Sequence, residues 1–486
     1  VESNGGTIIY ETIQHRYPID WRTKKPVIIR ATEQWFLDVK KICNELHAAV
    51  DKIEFYPPSG KQRLHSMIDS RASWCISRQR KWGVPIPAFK RNDGTVLLEP
   101  NVIRHVAQVL KANSGSDAWW RLDINELLPE DYDPREYTKM MDTMDGWFDS
   151  GMAWNTLPNN QSADLVIEGS DQYRGWFQSS LVTKIASNPQ LTDPPFKAII
   201  THGFVLDEQS RKMSKSLGNV IAPKEVIEKY GLDVVRLWAA TSDYHRDICL
   251  SEKTLLHLSE QYYKFRNTFR FLLGNLHDYK REDKLDLLLL DRLAMYKSNQ
   301  VYKQVIDLYN QYEFGKAFTT LTAHVNGDLS AFYFDSAKDR LYLCHDGKRR
   351  SAQFAFKHIL HSLVTLITPL MPLLAFEVSG LAKLDFPRCD HPHDLDTGCV
   401  EFEELRVLRR TVHQQLACHP SKAYIALPRQ EYNKFSLETY RDVLNCAKVE
   451  FGENWSVIES TGQKCPRCLY HRCEDGAGVC GECEHQ

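Results

Sequence analysis

Three stretches of this sequence carry side chains whose types and spacing could do chemistry. Arg211-Lys212-Met213-Ser214-Lys215-Ser216-Leu217-Gly218-Asn219 alternates three cations with small hydroxyl residues, and its glycine keeps the loop pliable. Such a loop can close on a polyphosphate, where lysine ammonium groups neutralise charge developing on a phosphorus under attack. A lone Lys-x-x-Lys run is more often a solvated loop. In Glu168-Gly169-Ser170-Asp171-Gln172-Tyr173-Arg174-Gly175-Trp176-Phe177, a carboxylate at a strand's end is followed by glycine and a helix N-terminus. That order suits a ribose hydroxyl or an amine. An ordinary turn with Asp171 as helix N-cap explains the same residues, and Asp171 can do both. Last, Cys465-Pro466-Arg467-Cys468 and Cys480-Gly481-Glu482-Cys483 are two knuckles separated by 11 residues, which fits a tetrahedral four-cysteine Zn2+ site. His471 and Cys473 lie between them and rank lower as ligands. The other eight cysteines are scattered and read as structural or free.

The elements that must position these groups fall into two kinds. From about 61 to 250 short apolar runs alternate with helices. Asp164-Leu165-Val166-Ile167 predicts a buried strand, then a helix from about Arg174 to Lys184. Lys197-Ala198-Ile199-Ile200 predicts a second strand, then a loop and a helix from about Pro223 to Tyr230, with Pro223 in the first turn. Such units favour a parallel sheet with ligands beyond the strands' carboxyl ends. Pro26-Val27-Ile28-Ile29-Arg30 also reads as a strand. From about 251 to 380, Tyr262, Phe265, Phe269, Leu272 and Leu273 recur at helical spacing, as do Val301, Val305, Leu308 and Tyr312, which predicts a helical bundle. Residues 388–460 are poorly patterned.

Beyond the lysine loop itself, whose five central residues spell the signature of class I aminoacyl-tRNA synthetases just after His202-Gly203-Phe204, the likeness to a family runs through nearly the whole chain. It includes His15-Arg16-Tyr17-Pro18, Trp74-Cys75-Ile76-Ser77-Arg78-Gln79-Arg80, Trp147-Phe148-Asp149-Ser150-Gly151 and Arg266-Asn267-Thr268. With the Glu168–Phe177 stretch, the chain resembles the C-terminal portion of isoleucyl-tRNA synthetases of the bacterial and mitochondrial type.

The resemblance implies an α/β fold, the second half of a Rossmann-type nucleotide domain, followed by an α-helical anticodon-binding bundle and a small zinc knuckle. The expected divisions are 1–60, the tail of the editing insertion; 61–250, the catalytic half with the lysine loop; 251–387, the anticodon-binding helices; 388–460, a junction; and 461–486, the zinc unit. It implies that Lys212 and Lys215 are catalytic and, with Met213, Ser214 and Ser216, contact ATP, which enters with Mg2+. Glu168, Gly169, Asp171 and Gln172 would line the aminoacyl-adenylate, and Trp147 and Trp176 would wall the isoleucine side-chain pocket. On composition alone, core packing is the favoured reading of either tryptophan. Such a slot rejects valine poorly, since one methylene is worth about 1–3 kcal/mol, a general limit for which isoleucine against valine in this family is the standard illustration. Zn2+ on Cys465, Cys468, Cys480 and Cys483 would help engage tRNA, with Lys464, Arg467 and Arg472 meeting phosphates.

The implied reaction joins isoleucine to ATP, releases pyrophosphate and acylates the terminal ribose of tRNA(Ile); the partners are tRNA(Ile), isoleucine and ATP, and a monomer is expected. The chain opens at Val1 inside folded-type sequence and lacks the family's His-x-Gly-His signature, so an upstream part and weak activation by the chain alone are expected. A non-catalytic tRNA-binding fragment with a zinc knuckle is the alternative, and a sister enzyme for valine or leucine a third reading. Aromatic and basic residues interleave at Tyr263-Lys264-Phe265-Arg266 and between Arg340 and Arg350, as in single-strand RNA readers, although bundle packing explains most of them.

Composition sets outer bounds. The 486 residues are 43% hydrophobic and 26% charged, with 61 Lys plus Arg against 63 Asp plus Glu and a net charge of −2. This excludes a histone-like basic protein and an acidic disordered tail. The apolar stretch Leu363–Phe376 is too short to span a bilayer, so no membrane partner is expected. Five of thirteen cysteines cluster between Cys465 and Cys483, which points to a metal in a reducing compartment rather than to disulfides. A bacterial cytoplasm and a mitochondrial matrix fit equally, and the irregularity of 388–460 favours the matrix.

Overall fold

The computed structural model describes residues 11–20, 23–80, 82–158, 161–213, 217–280, 286–343, 347–383, 399–466, 468, 470–473 and 479. The chain divides into two compact units, Val1–Thr201 and His202–Gln486. Ser214, Lys215, Ser216, Cys480 and Cys483 of the expected sites lie outside the described residues.

In the first unit a three-stranded sheet runs in the order Glu54–Tyr56, Phe196–His202, Ala163–Gly169. Ile199 stands opposite Phe55 in a parallel pair, as the strand–loop–helix pattern predicts. Ala198, Ile199, Ile200 and Thr201 are all buried, the continuous run of a strand covered on both faces. The helices Cys43–Asp51, Ser59–Asp69 and Trp176–Ser187 cover it through Leu46, Val50, Leu64, Ile68, Phe177 and Leu181. The helix expected from Arg174 begins at Trp176 instead. Ser170–Arg174 forms a 3-10 turn, and Gly175, at φ −111° and ψ −112°, separates the two. A second, smaller core of Phe89, Val102, Val106, Trp119 and Leu127 lies under the helix Pro100–Ala112.

The strand expected at Pro26–Arg30 does not form. Pro26 makes an isolated bridge with Ile19, and Ile28 and Ile29 are exposed. An apolar run becomes a strand only when a partner ladder receives it.

The second unit has one large core shared by the helices Pro223–Tyr230, Leu232–Thr241, Glu252–Asn275, Leu289–Asn310, Phe314–Ala323, Gly347–Ile367 and Pro372–Ala382. Buried Asp233 accepts hydrogen bonds from the Leu373 and Leu374 amides at 3.3 and 2.9 Å, placing negative charge at the start of the Pro372–Ala382 helix. The bundle continues past 387. Helix Cys399–Gln415 adds Phe402, Leu405 and Val412 to the same core. Beyond it Ala423–Pro428 pairs parallel to Lys448–Gly452 and antiparallel to Ser456–Glu459. No described helix is long and apolar enough to cross a membrane.

Candidate active site

In the first unit the strand Ala163–Gly169 ends beside the turn Ser170–Arg174, so Glu168 and Asp171 are exposed at the strand's carboxyl end. Gln172 does the local capping. Its Oε1 accepts the Trp176 amide at 3.0 Å, and its Nε2 donates to Asp171 Oδ2 at 3.1 Å. Gly175 leaves room here: a Cβ would meet Gln172 Oε1 at 2.7 Å and the Trp147 ring at 3.1 Å. The missing side chain lets the Trp147 indole lie against the turn. Tyr173 is buried, bonded to Thr201 at 3.1 Å, with the Arg63 guanidinium over its ring at 5.2 Å. Burial pushes its phenol up, opposed by Thr201 and Arg63.

The two tryptophans differ in setting. Trp147 is 44% exposed. Trp176 is half-buried, stacked among Phe177 and Phe196, and its Nε1 donates to the Ser150 carbonyl at 2.9 Å. The helix Gly146–Gly151 that presents Trp147 is organised by Asp145, which sequence reasoning missed. Only 7% exposed, Asp145 caps the Trp147 amide at 3.3 Å, accepts Trp74 Nε1 at 3.1 Å and pairs with Arg78 at 2.8 Å. One carboxylate thereby ties the Trp74–Arg80 motif to the Trp147 motif. Its position just before Gly146, in N-cap register, was the available signal.

In the second unit the lysine loop grows from a two-strand ladder, Val205–Leu206 parallel to Ile248–Cys249. The chain then folds back so that Lys212 bridges Leu206. Asp207, 5% exposed, was also missed. Its Oδ1 accepts the Gln209 and Arg211 amides at 3.0 and 2.8 Å, and its Oδ2 accepts Arg211 Nε and Asn219 Nδ2, each at 2.9 Å. The Asn219 hydrogen bond and the Arg211 guanidinium hold this carboxyl well below the usual carboxylate range. Asn219 also reaches the Lys212 carbonyl at 3.4 Å. Both ends of the 207–219 segment are thus pinned to one anion. The Lys212 ammonium lies over the Phe204 ring, 4.2 Å from its centre. Met213 packs at the margin of the helical core.

Near the C-terminus Cys465, Cys468, Tyr470 and Cys473 share a small buried cluster with Leu343 and Val479. The Cys465 amide donates to the Tyr470 carbonyl at 2.8 Å. Of the four expected Zn2+ ligands, Cys465 and Cys468 are described and buried, with Cys473 buried beside them. A cleft of about 670 Å³ alongside is lined by residues including Lys338, Arg409, His413, His419 and Lys464.

Several residues expected to interleave for RNA reading serve packing instead. Phe265 is core. Arg340, 3% exposed, makes a bidentate pair with buried Asp291 at 2.7 and 2.9 Å and meets Asp442 at 3.1 Å. Arg349 and Arg350 turn to Asp278.

A nucleotide-type sheet half with an acidic strand end, a separately anchored lysine hairpin and a helical bundle together define a class I synthetase. The family of class I tRNA synthetases (I, L, M and V) matches residues 11–251, and the anticodon-binding domain of tRNA ligases matches 291–411. The chain belongs to this synthetase family. Its relatives within it include the isoleucine–tRNA ligase of Synechococcus sp. (strain CC9311), 39% identical over 99% of this chain and 57% of that protein. That of Thermotoga maritima is 38% identical over 97% of this chain and 57% of its own length. The chain therefore spans a little over half the length of these curated relatives. A Mycobacterium tuberculosis methionyl-tRNA synthetase in complex with methionyl-adenylate shares the fold, with TM-score 0.54 and 16% identity over 76% of this chain and 66% of that one.

Proposed function

We propose that this chain serves as the C-terminal portion of an isoleucine–tRNA ligase. The observation that carries the reading is identity of 37–45% to isoleucine–tRNA ligases, for several of them over nearly the whole chain. Lys212 and Lys215 contact the ATP phosphates, which arrive with Mg2+, and neutralise charge as pyrophosphate leaves. Met213, Ser214 and Ser216 complete that loop. Glu168, Gly169, Asp171 and Gln172 hold the isoleucyl-adenylate, and Trp147 and Trp176 bound its side chain. The acyl group then passes to the terminal ribose of tRNA(Ile), and the bundle carries the anticodon stem. Cys465, Cys468, Cys480 and Cys483 hold a structural Zn2+, and Lys464, Arg467 and Arg472 meet tRNA phosphates. The bacterial relatives support a bacterial cytoplasm over a mitochondrial matrix.

The test is ATP–pyrophosphate exchange with isoleucine, valine and leucine, by the chain alone and with a segment carrying His-x-Gly-His added. Exchange selective for isoleucine, dependent on the added segment and lost in Lys212→Ala and Lys215→Ala, is expected. Selectivity for valine or leucine refutes the reading. tRNA(Ile) binding without exchange under any supplementation would favour the second reading, a non-catalytic tRNA-binding fragment.

A further inference from the structure

Away from the proposed synthetase site, the helices Cys43–Asp51 and Ser59–Asp69 face each other with a ladder of titratable side chains. Cys43 and His47 are four residues apart on one helix, and His65 and Asp69 four apart on the other, so each pair projects from one face. Leu46, Val50, Leu64 and Ile68 lock the two helices together in the core.

The contacts form a line. His47 Nε2 lies 2.8 Å from Asp69 Oδ1, and His47 Nδ1 lies 2.5 Å from His65 Nδ1. His65 Nε2 lies 3.3 Å from Asp51 Oδ1. The two rings are within 18° of parallel. Each of these three gaps needs one hydrogen, because a carboxylate supplies none and two facing ring lone pairs repel. Two neutral imidazoles carry only two. The line is one proton or cation short; Lys61 Nζ already meets Asp51 Oδ1 at 2.9 Å at one end, and the Cys43 sulfur stands at the other, beside Asp69. The ligand atoms of Cys43, His47 and Asp69 all lie within 4.8 Å of one another.

We infer that Cys43, His47 and Asp69 form a divalent-metal site on this helix pair, with His65 and Asp51 orienting His47 from behind. The ion takes His47 Nε2, so the ring's remaining hydrogen sits on Nδ1 and donates to His65 Nδ1; His65 Nε2–H then donates to Asp51. Every gap is filled with both rings neutral. A histidine that ligates through one nitrogen and donates from the other is the usual arrangement at metal sites. One sulfur, one imidazole and one carboxylate suit Zn2+. Ligand atoms around Zn2+ stand roughly 3.3–3.7 Å apart, given bonds of about 2.0–2.3 Å, so side-chain rotations of about 1 Å close the site. The His47 side chain is 28% and that of Asp69 64% exposed, which leaves water a fourth position. The ion would clip together two helices, one of which holds Arg63 over the Tyr173 ring.

The test is zinc stoichiometry of the full chain, stripped of metal and dialysed against Zn2+ alone. Because the C-terminal cysteines are expected to bind zinc as well, the comparison is between variants. Cys43→Ser and His47→Ala, each with wild-type circular dichroism, are expected to hold one equivalent fewer than the wild type. With Co2+ as probe, the sulfur-to-metal charge-transfer band of that equivalent should vanish in Cys43→Ser. His65→Ala should keep the site but weaken it about 10–100-fold. Equal zinc content in wild type, Cys43→Ser and His47→Ala overturns the inference. So does a Cys480→Ser/Cys483→Ser background, already short of its own equivalent, from which Cys43→Ser removes no further zinc.

Discussion

Replacing Gly203 by alanine is the sharpest probe of the ladder that carries the lysine loop. An added Cβ would overlap the Arg246 carbonyl and the Asp247 nitrogen by more than about 1 Å, and both are backbone. To relieve it, the segment 203–206 must move off 244–250. That move opens three backbone hydrogen bonds: Gly203 N–H to Tyr244 O at 3.0 Å, Ile248 N–H to Phe204 O at 2.8 Å and Leu250 N–H to Leu206 O at 3.0 Å. A shift of this size takes them beyond hydrogen-bond range. At about 0.5–1.5 kcal/mol each, the loss is roughly 2–4 kcal/mol; treating the overlap as core overpacking gives about 1–3 kcal/mol. The two estimates meet near 2–3 kcal/mol, or a melting temperature lower by roughly 3–5 °C for a unit of this size. Gly274→Ala is the internal control. It lies exposed on the Glu252–Asn275 helix with nothing near its Cβ, so alanine should stabilise by up to about 1 kcal/mol. Calorimetry and amide exchange at Ile248 and Leu250 check both. If Gly203→Ala melts within a degree of wild type with unchanged exchange at those amides, the close-packed ladder is wrong.

Arg340→Met should cost about 3–5 kcal/mol in urea unfolding, because it strands the buried carboxylates of Asp291 and Asp442. Burial pushes the Asp442 carboxyl from 3.8 up to about 6, against the pull of Arg340. The folded state therefore holds this proton more tightly, so the group favours folding most below about pH 4, and that contribution fades as pH rises toward 6. Asp442→Asn should remove that part of the slope, on the order of 2–3 kcal/mol, from the stability–pH curve. Asp207→Asn turns a donor toward Arg211 and Asn219, and faster amide exchange at Gln209 and Arg211 is expected. Since the Asp207 carboxyl is held low, its clamp is present at neutral pH and fails only in strong acid. Protection of these amides in the wild type should stay flat from pH 8 to pH 5.

The motifs were legible because their chemistry is written contiguously. Glu168 to Phe177 reads as strand end, turn and helix start in one stretch, and the lysine hairpin does the same. The residues that fix those motifs in space were not legible. Asp145 acquires its role from Trp74 and Arg78, about seventy positions earlier, and Asp207 acquires its own from a loop that must first fold back. A single carboxylate carries no local sign of such partners. Ala423-Tyr424-Ile425-Ala426-Leu427-Pro428 has alternating burial, yet nearly all its residues are apolar, so the period of two is invisible until the strand is placed. Pro26–Arg30 fails in the opposite way, with strand-forming residues and no ladder to join. Arg340 opens the interleaved stretch that runs to Arg350, but Asp291, 49 positions earlier, claims its guanidinium.

These anchors bear on how the proposed ATP loop could work. Asp207 and Asn219 are joined by a hydrogen bond, which fixes the two ends of this segment to each other. Within that span the Lys212 ammonium rests on the Phe204 ring, an exposed cation–π contact worth about 0.5–1 kcal/mol. A hydrogen bond from the same ammonium to a phosphate oxygen is worth about 1.5–3 kcal/mol. In the proposed role, that difference would be enough to draw Lys212 off the ring with a triphosphate present and small enough for its return when pyrophosphate leaves. A deeper ion pair at this position would hold the lysine against its substrate, and a fully solvated lysine would have to be ordered at each turnover. An aromatic rest beside an anchored hairpin avoids both costs, which gives a physical reason for phenylalanine directly after Gly203 and before the ladder.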